Sequence, residues 1–176
     1  MVRAAVVAVL RKREPVGLEL LLIKRAEQDG DPWSGHVALP GGREEAGDVS
    51  LEATAVRETR EEIGLDLERD GRILGALDEL SPRTMPVPIT VRPYVAVVHR
   101  DVPLVLSDEV AAAFWVPVTA LAAPGARKDS VVTVRGVERV VPSFRHEEYV
   151  VWGMTERILR ELLAELPRLL ALSGEA

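Results

Sequence analysis

No cysteine occurs among the 176 residues. Disulfides, thiolate metal sites and a cysteine nucleophile are therefore excluded. Asparagine is missing too, Gln28 is the only glutamine, and arginine greatly outnumbers lysine. Few thermolabile residues mark a thermophile; a compositional bias of the genome has the same effect, and both readings stay open. No apolar run approaches the length of a membrane span. The run Ala4 to Leu10, after Arg3, is at the short limit for a signal peptide, is followed by Arg11, Lys12 and Arg13, and lacks a small-residue cleavage site. It reads as a first β-strand, and a cytoplasmic protein with no membrane partner is expected. The net charge is −6 and no basic cluster stands out, which speaks against nucleic acid as a partner. A phosphate substrate would need local help from a metal or an arginine. No repeat, low-complexity segment or linker interrupts the chain, so residues 1–176 read as one domain with a sizeable core.

What the chain does contain is one organising stretch, Leu39 to Leu65. Pro40, Gly41 and Gly42 read as a loop, because glycine reaches backbone angles that other residues avoid. Asp48 or Ser50 is placed to cap the helix that follows, expected over Leu51 to Ile63, and Gly64 sits where a helix usually ends. Glu58, Glu61 and Glu62 stand at i, i+3 and i+4 and so share one helical face. Like charges at that spacing repel, so the cluster adds nothing to helix stability. A hard divalent cation relieves the repulsion, and Mg²⁺ prefers carboxylate and water oxygens together with substrate phosphates. The alternative is a solvated acidic face with Arg57 and Arg60 interleaved.

The stretch resembles the Nudix box, Gly-x5-Glu-x7-Arg-Glu-U-x-Glu-Glu-x-Gly-U with U apolar. The match is Gly42, Asp48, Arg57, Glu58, Thr59, Glu61, Glu62, Gly64 and Leu65. Asp48 replaces the first Glu, eight residues rather than seven separate it from Arg57, and Thr59 replaces an apolar residue. The first two departures resemble the branch of the family that hydrolyses coenzyme A. Upstream, Leu22-Ile23-Lys24-Arg25 and Gly35-His36-Val37-Ala38-Leu39-Pro40 resemble, in part, the longer signature of that branch. Leu39 stands there for Phe and Ala26 for Ser, and the gap from Arg25 to Gly35 is slightly longer. Val91 to Val95, Ser107 to Val110, Phe114 to Pro117 and Val151 to Thr155 resemble it as well.

The resemblance implies an α/β fold, a mixed β-sheet sandwiched between α-helices. It implies Mg²⁺ or Mn²⁺ as cofactor, with Glu58, Glu61 and Glu62 as catalytic metal ligands and Arg57 holding a box carboxylate in place. Gly41 and Gly42 would let the backbone approach a metal or phosphate, and Arg25 would bind a phosphate; its alternative is a solvated strand-end arginine. The implied function is metal-dependent hydrolysis of the diphosphate bond of a small nucleotide, coenzyme A or an acyl-CoA first and ADP-ribose or another nucleotide sugar second. A Nudix-fold domain that senses a nucleotide without cleaving it is the rival of another class, and a homodimer stays open.

The remaining elements follow from patterning. Val2 to Leu10 and Leu18 to Lys24 read as strands around a charged turn, and Val37 to Leu39 as a short one. Arg72 to Leu80 begins another. Ser81 to Pro88 reads as a proline-rich loop. Ile89 to His99 reads as a strand with Ile89, Val91, Val95 and Val97 on one face. Ser107 to Ala113 reads as a short helix or turn, and Phe114 to Val118 as a short strand. Arg135-Gly136-Val137 separates Val131 to Val134 from Glu138 to Val141 as a hairpin. Met154 to Leu170 carries an apolar helical stripe that Pro167 is expected to kink or end, followed by a frayed tail at Ser173 to Ala176. Trp115 and Trp152 are expected in the core. Asp31 and Trp33 are expected at the substrate entrance. Asp78, Glu79, Asp108 and Glu109 are candidates for one further site carboxylate. His36, His99 and His146 do not stand at metal-ligand spacing, although His146 with Glu147 and Glu148 is a candidate to reach the site.

Overall fold

The computed structural model describes residues 1–31, 33–82 and 88–174. Along the chain lie β1 (Val2–Arg13), β2 (Gly17–Arg25), β3 (Val37–Ala38), β4 (Gly41–Arg43), α1 (Leu51–Ile63), α2 (Leu67–Asp70), β5 (Gly71–Ala76), β6 (Ile89–Val98), β7 (Val110–Pro117), α3 (Val118–Ala122), β8 (Arg127–Val134), β9 (Val137–His146), β10 (Tyr149–Trp152) and α4 (Gly153–Ser173). The apolar runs β1 and β2 pair antiparallel, while β6 runs parallel to β1 from Val2 opposite Ile89 to Arg11 opposite Val98. β5 joins the far side of β6, β3 and β7 pair with β2, and β4 pairs with β1. The main sheet is therefore mixed.

Both faces of this sheet are covered, which is why β1 and β2 read as almost continuous apolar runs. Val7, Val9, Leu21 and Ile23 face Leu51, Ala55 and Ile63 of α1 and Leu67 of α2. Ala8, Leu10, Leu20 and Leu22 face Ile158, Leu159, Leu162, Leu166 and Leu169 of α4. A second sheet, β10-β9-β8, lies on the α4 side, where Phe144 and Val151 join the same core. The expected sandwich of a mixed sheet between helices is the observed one. No helix among the described residues is long and apolar enough to cross a membrane.

The box helix α1 has the expected bounds. Ser50, not Asp48, is its cap: the Ser50 Oγ accepts from the Ala53 N–H at 3.1 Å. Gly64 closes the helix at φ 69°, donating its N–H to the Arg60 carbonyl. Other expectations are corrected. Gly41–Arg43 is a strand, because Ala4, Ala5 and Val6 supply a ladder that the local sequence does not announce. Val110 to Ala113 belong to β7, paired with β2, and only Ser107 to Glu109 turn. The strand expected to Leu80 stops at Ala76, after which Leu80 makes one isolated bridge to Val91. Helix α4 runs through Pro167 to Ser173, since Leu166 and Leu169 are buried on either side of it. That packing outweighs the one backbone bond that proline forgoes. Positions 83–87 of the proline-rich loop, and Glu175 and Ala176 of the tail, lie outside the described residues.

Candidate active site

Pairing of β4 with β1 lays the glycine pair against α1. The Gly41 N–H donates to Glu62 Oε2 at 2.9 Å. Gly41 has φ +153°, and a Cβ there would stand 2.2 Å from the Ala5 carbonyl oxygen. A Cβ on Gly42 would stand 2.3 Å from Glu58 Oε1. The close approach that glycine permits here is thus to strand β1 and to the carboxylates of the helix.

Arg57 ties the acidic face together. Its Nε and Nη2 donate to the two oxygens of Asp48, each at 2.9 Å, and Nη2 also reaches the Arg43 carbonyl at 3.0 Å. Its Nη1 donates to Glu58 at 3.0 Å and to Glu61 at 3.1 Å. Asp48 accepts in addition from Thr54 Oγ1 and from the Glu45 N–H. Its Arg57 partner first, and then that N–H, hold its carboxyl far below the usual aspartate range. A shorter carboxylate in place of the box's first Glu therefore still reaches Arg57. Thr59, at the apolar position, is fully buried and satisfies its hydroxyl on the Ala55 carbonyl at 2.7 Å.

The three helix carboxylates differ in environment. Glu61 is largely exposed, with 58% of its side chain open. Glu62 is buried, and its pKa rises from 4.5 to about 7, through burial first, with Glu58 and Glu109 adding to it and the Gly41 N–H and Arg25 opposing it. Burial also raises Glu58, against the pull of Arg57, and Glu61 and Glu109 raise it further. Glu109 thus shares the field of the box, as the sequence had offered among four candidates. It is brought there by residues 102–109, which strap the end of α1: the Val105 N–H donates to the Ile63 carbonyl and the Ser107 N–H to the Glu62 carbonyl, each at 2.9 Å. The Glu109 carbonyl in turn accepts from the Ala26 N–H.

Arg25 lies beside Glu62 at the end of β2. Its Nη2 donates to Asp31 at 2.9 Å, while its Nε is buried with no hydrogen-bond partner. Asp31 is held in turn by the Trp33 N–H at 3.1 Å. Burial works against its charge, but that N–H and Arg25 keep its carboxyl below the usual value. Burial lowers the pKa of His36 as well, with Arg25 assisting and Asp31 opposing. The His36 ring meets that of Trp152 at 4.9 Å. Trp152 and Trp115 are both only partly buried, and Arg11 covers the Trp115 ring at 4.1 Å. The other candidates make contacts elsewhere: the Asp78 N–H donates to Glu161 of α4, Glu79 pairs with Arg92, and His146 lies 3.9 Å from Glu147 at the β9–β10 turn. Asp108 and His99 are exposed.

The family model described as NUDIX domain matches residues 1–135. The chain belongs to the Nudix family. The protein named "Uncharacterized Nudix hydrolase NudL" from Cronobacter sakazakii is 35% identical over 164 residues, spanning 93% of this chain and 81% of that protein. Its namesake from an Enterobacter species is 33% identical over 165 residues, spanning 93% and 82%. Among solved structures, a MutT/nudix family protein from Enterococcus faecalis superposes with a TM-score of 0.65 at 21% identity, over 98% of this chain and 67% of that one. The NUDIX domain of Shewanella oneidensis NrtR, complexed with ADP ribose, gives 0.54 at 20%, over 70% and 78%. A C. elegans Ap4A hydrolase gives 0.58 at 23%, over 69% and 85%. These three show the fold. The chain is an enzyme, a Nudix hydrolase acting on diphosphates of small molecules, and Nudix hydrolases generally use divalent metal ions.

The donor set of this Nudix box suits such an ion. Glu58 and Glu62 are oxygen donors whose pKa values are raised by burial first and by neighbouring carboxylates after it, and a bound cation would offset both. Among the described residues no three carboxylates or imidazoles converge on one point. Mg²⁺ does not require that, since one or two carboxylates with water and substrate phosphates suffice.

Proposed function

We propose that this Nudix hydrolase cleaves the diphosphate of coenzyme A or an acyl-CoA in the cytoplasm, giving 3′,5′-ADP and the (acyl-)4′-phosphopantetheine. In this reading residues 1–176 form one domain, and Glu58, Glu61 and Glu62 hold Mg²⁺ or Mn²⁺. The observation that carries it is Arg25, a guanidinium beside the box with a buried, unpaired Nε–H. A phosphate oxygen is the strong acceptor that such a donor lacks, and coenzyme A brings a 3′-phosphate besides its diphosphate.

Bound divalent ions would neutralise diphosphate oxygens and lower the pKa of an attacking water. The protein's own groups do the rest. Arg25, steadied by Asp31, binds a phosphate oxygen. Arg57 keeps Glu58 and Glu61 on the substrate side of the helix, and the Gly41 N–H fixes Glu62 through Oε2. A box carboxylate takes the proton of the attacking water. Gly41 and Gly42 let β4 lie close against β1 and the helix carboxylates, where a Cβ would displace Val6 or Glu58.

A panel of coenzyme A, its 3′-dephospho form, ADP-ribose and diadenosine tetraphosphate, with products identified by mass spectrometry, tests the reading. EDTA should abolish turnover, and Mg²⁺ or Mn²⁺ restore it. The kcat/KM for coenzyme A should exceed that for the dephospho form about tenfold, the scale of one charge-assisted contact, and Arg25→Ala should erase most of that difference. Preference for ADP-ribose or the dinucleotide would overturn the substrate, and nucleotide binding without turnover in either metal would favour a sensor.

A further inference from the structure

A second concave surface lies at the other end of the main sheet. The box meets β1 at Ala4 to Val6. At the far end of the same strand, β6 stops at Val98, opposite Arg11, while β1 runs on to Arg13 beside β2. The chain leaves β6 through His99, Arg100 and Asp101. A cavity of about 370 Å³ opens between these three residues and Arg11, Lys12 and Arg13, with Val97 and Val98 completing its lining. That size is at the lower end of small-molecule sites. At ~3.3 Å per residue the cavity lies about 20 Å along β1 from Val6.

Its charge is one-sided. Arg11, Lys12, Arg13 and Arg100 line it against one acid, Asp101, in a chain whose net charge is −6. Three consecutive basic residues make no cluster until the pairing of β1 with β6 sets Arg100 beside them. Two of the four cations are fixed in place. Arg11 donates its Nε to Glu19 at 2.7 Å and its Nη1 to Asp101 at 3.3 Å, and only 13% of its side chain is exposed. Arg100 donates its Nε to Asp70 at 2.8 Å and its Nη2 to the same carboxylate. That carboxylate is completely buried and is also held by Arg69. Arg11 Nη2 and Arg100 Nη1 are left as donors with no bond to the described residues. Lys12 and Arg13 are exposed, and neither has an ion pair among the described residues.

We propose that this cavity is a second anion site, separate from the active site, which takes the phosphate chain of a soluble diphosphate or triphosphate. Converging cations repel one another, and the one acid that lines the cavity is already engaged by Arg11. A polyanion relieves that repulsion. Guanidinium groups held beforehand lose little freedom on binding, and their free N–H groups make the charge-assisted bonds that phosphate oxygens accept. A cleft of one sign also concentrates ions of the other. Arg11 and Arg100 supply the fixed donors, and Lys12 and Arg13 close on the outer oxygens. Val97 and Val98 are the only apolar lining, so recognition is of phosphate and not of a group attached to it.

Calorimetric titration of the wild type with inorganic triphosphate, in EDTA to keep metal from the box, should show saturable one-to-one binding. Adenosine triphosphate should bind as well as the inorganic ion, and adenosine not at all. Lys12→Ser combined with Arg13→Ser should weaken binding about a hundredfold, roughly tenfold for each charged contact, with unchanged circular dichroism and unchanged kcat/KM. Arg135→Ser combined with Arg139→Ser removes the same charge from exposed positions that do not line the cavity, and should leave the affinity as it was. In the isotope-labelled wild type, NMR titration with triphosphate should shift the amides of residues 11–13 and 98–101, which locates the site even if the double variant fails to fold. No saturable binding up to about 1 mM overturns the proposal. So does binding that survives the Lys12 and Arg13 changes or falls equally with the Arg135 and Arg139 changes. Binding that disappears in Arg25→Ala, or amide shifts confined to the box, would assign the anion to the active site and overturn it too, as would attachment to phosphatidylserine vesicles without binding of the soluble triphosphate.

Discussion

Glu62→Gln removes one buried charge and keeps the shape of the side chain, including an oxygen for the Gly41 N–H. In the wild type the Glu62 pKa stands at about 7 instead of 4.5. A carboxyl raised on folding binds its proton more tightly in the folded than in the unfolded chain. Between those two values the folded state holds more protons, so stability falls as pH rises. The penalty is absent below about pH 4.5 and fully present above about pH 7. At ~1.4 kcal/mol for each pH unit it amounts to ~3 kcal/mol, which for a chain of this size is about 6–12 °C in Tm. The assay is calorimetry of both proteins in EDTA at pH 5 and pH 8.5. The glutamine variant should melt about 6–12 °C above the wild type at pH 8.5 and near it at pH 5. Saturating Mg²⁺ should close the gap at pH 8.5 by raising the wild type alone, because a cation compensates the carboxylate that the variant lacks. An equal gap at both pH values, or a wild type that melts higher at pH 8.5 in EDTA, would refute the reasoning.

Glu61→Gln should lower turnover by about two orders of magnitude, the scale of a lost electrostatic contact to the reacting group, and leave the Tm unchanged because the residue is exposed; near-normal turnover would remove it from the site. Gly42→Ala should cut activity while the protein stays folded, since the added Cβ meets only the flexible end of Glu58, whereas Gly41→Ala meets backbone at Ala5 and Val6 and should lower the Tm strongly. The reverse order in melting experiments would contradict the strand placement of the glycine pair. Asp48→Asn should lower both Tm and kcat at pH 7 by weakening Arg57, and an unaltered kcat would show that Arg57 holds Glu58 and Glu61 without it.

The parts of this molecule that were legible in the sequence are those whose causes are local. Ser50 and Gly64 mark both ends of the box helix, and the spacing of Glu58, Glu61 and Glu62 puts them on one face whatever the rest of the chain does. Arg135-Gly136 likewise announces its hairpin. What escaped depends on distant partners. Gly41 and Gly42 look like a loop until β1 offers them a ladder, and Pro167 looks like a stop until Leu166 and Leu169 are seen packed against the sheet. Glu109 could be offered only among four candidates, because the strap that carries it is fixed by backbone bonds to Glu62 and Ile63 across more than forty positions of chain. That Arg57 holds a box carboxylate was expected from the resemblance; that Asp48 takes two of its bonds while Glu58 and Glu61 share the third nitrogen was not legible.

The bond from Gly41 to Glu62 has a donor that belongs to the main chain. No genetically encoded replacement at position 41 deletes it cleanly, because every residue except proline retains the N–H, and every residue except glycine collides with β1. A scan of side chains would record position 41 only as intolerant, a matter of fit, and would miss its electrical role. An amide-to-ester exchange at this one linkage puts an oxygen in place of the N–H without adding a Cβ, and it also weakens the Pro40 carbonyl that accepts from the Val7 N–H. It would raise the Glu62 pKa further, and so expose the electrical role of position 41 that side-chain replacement hides.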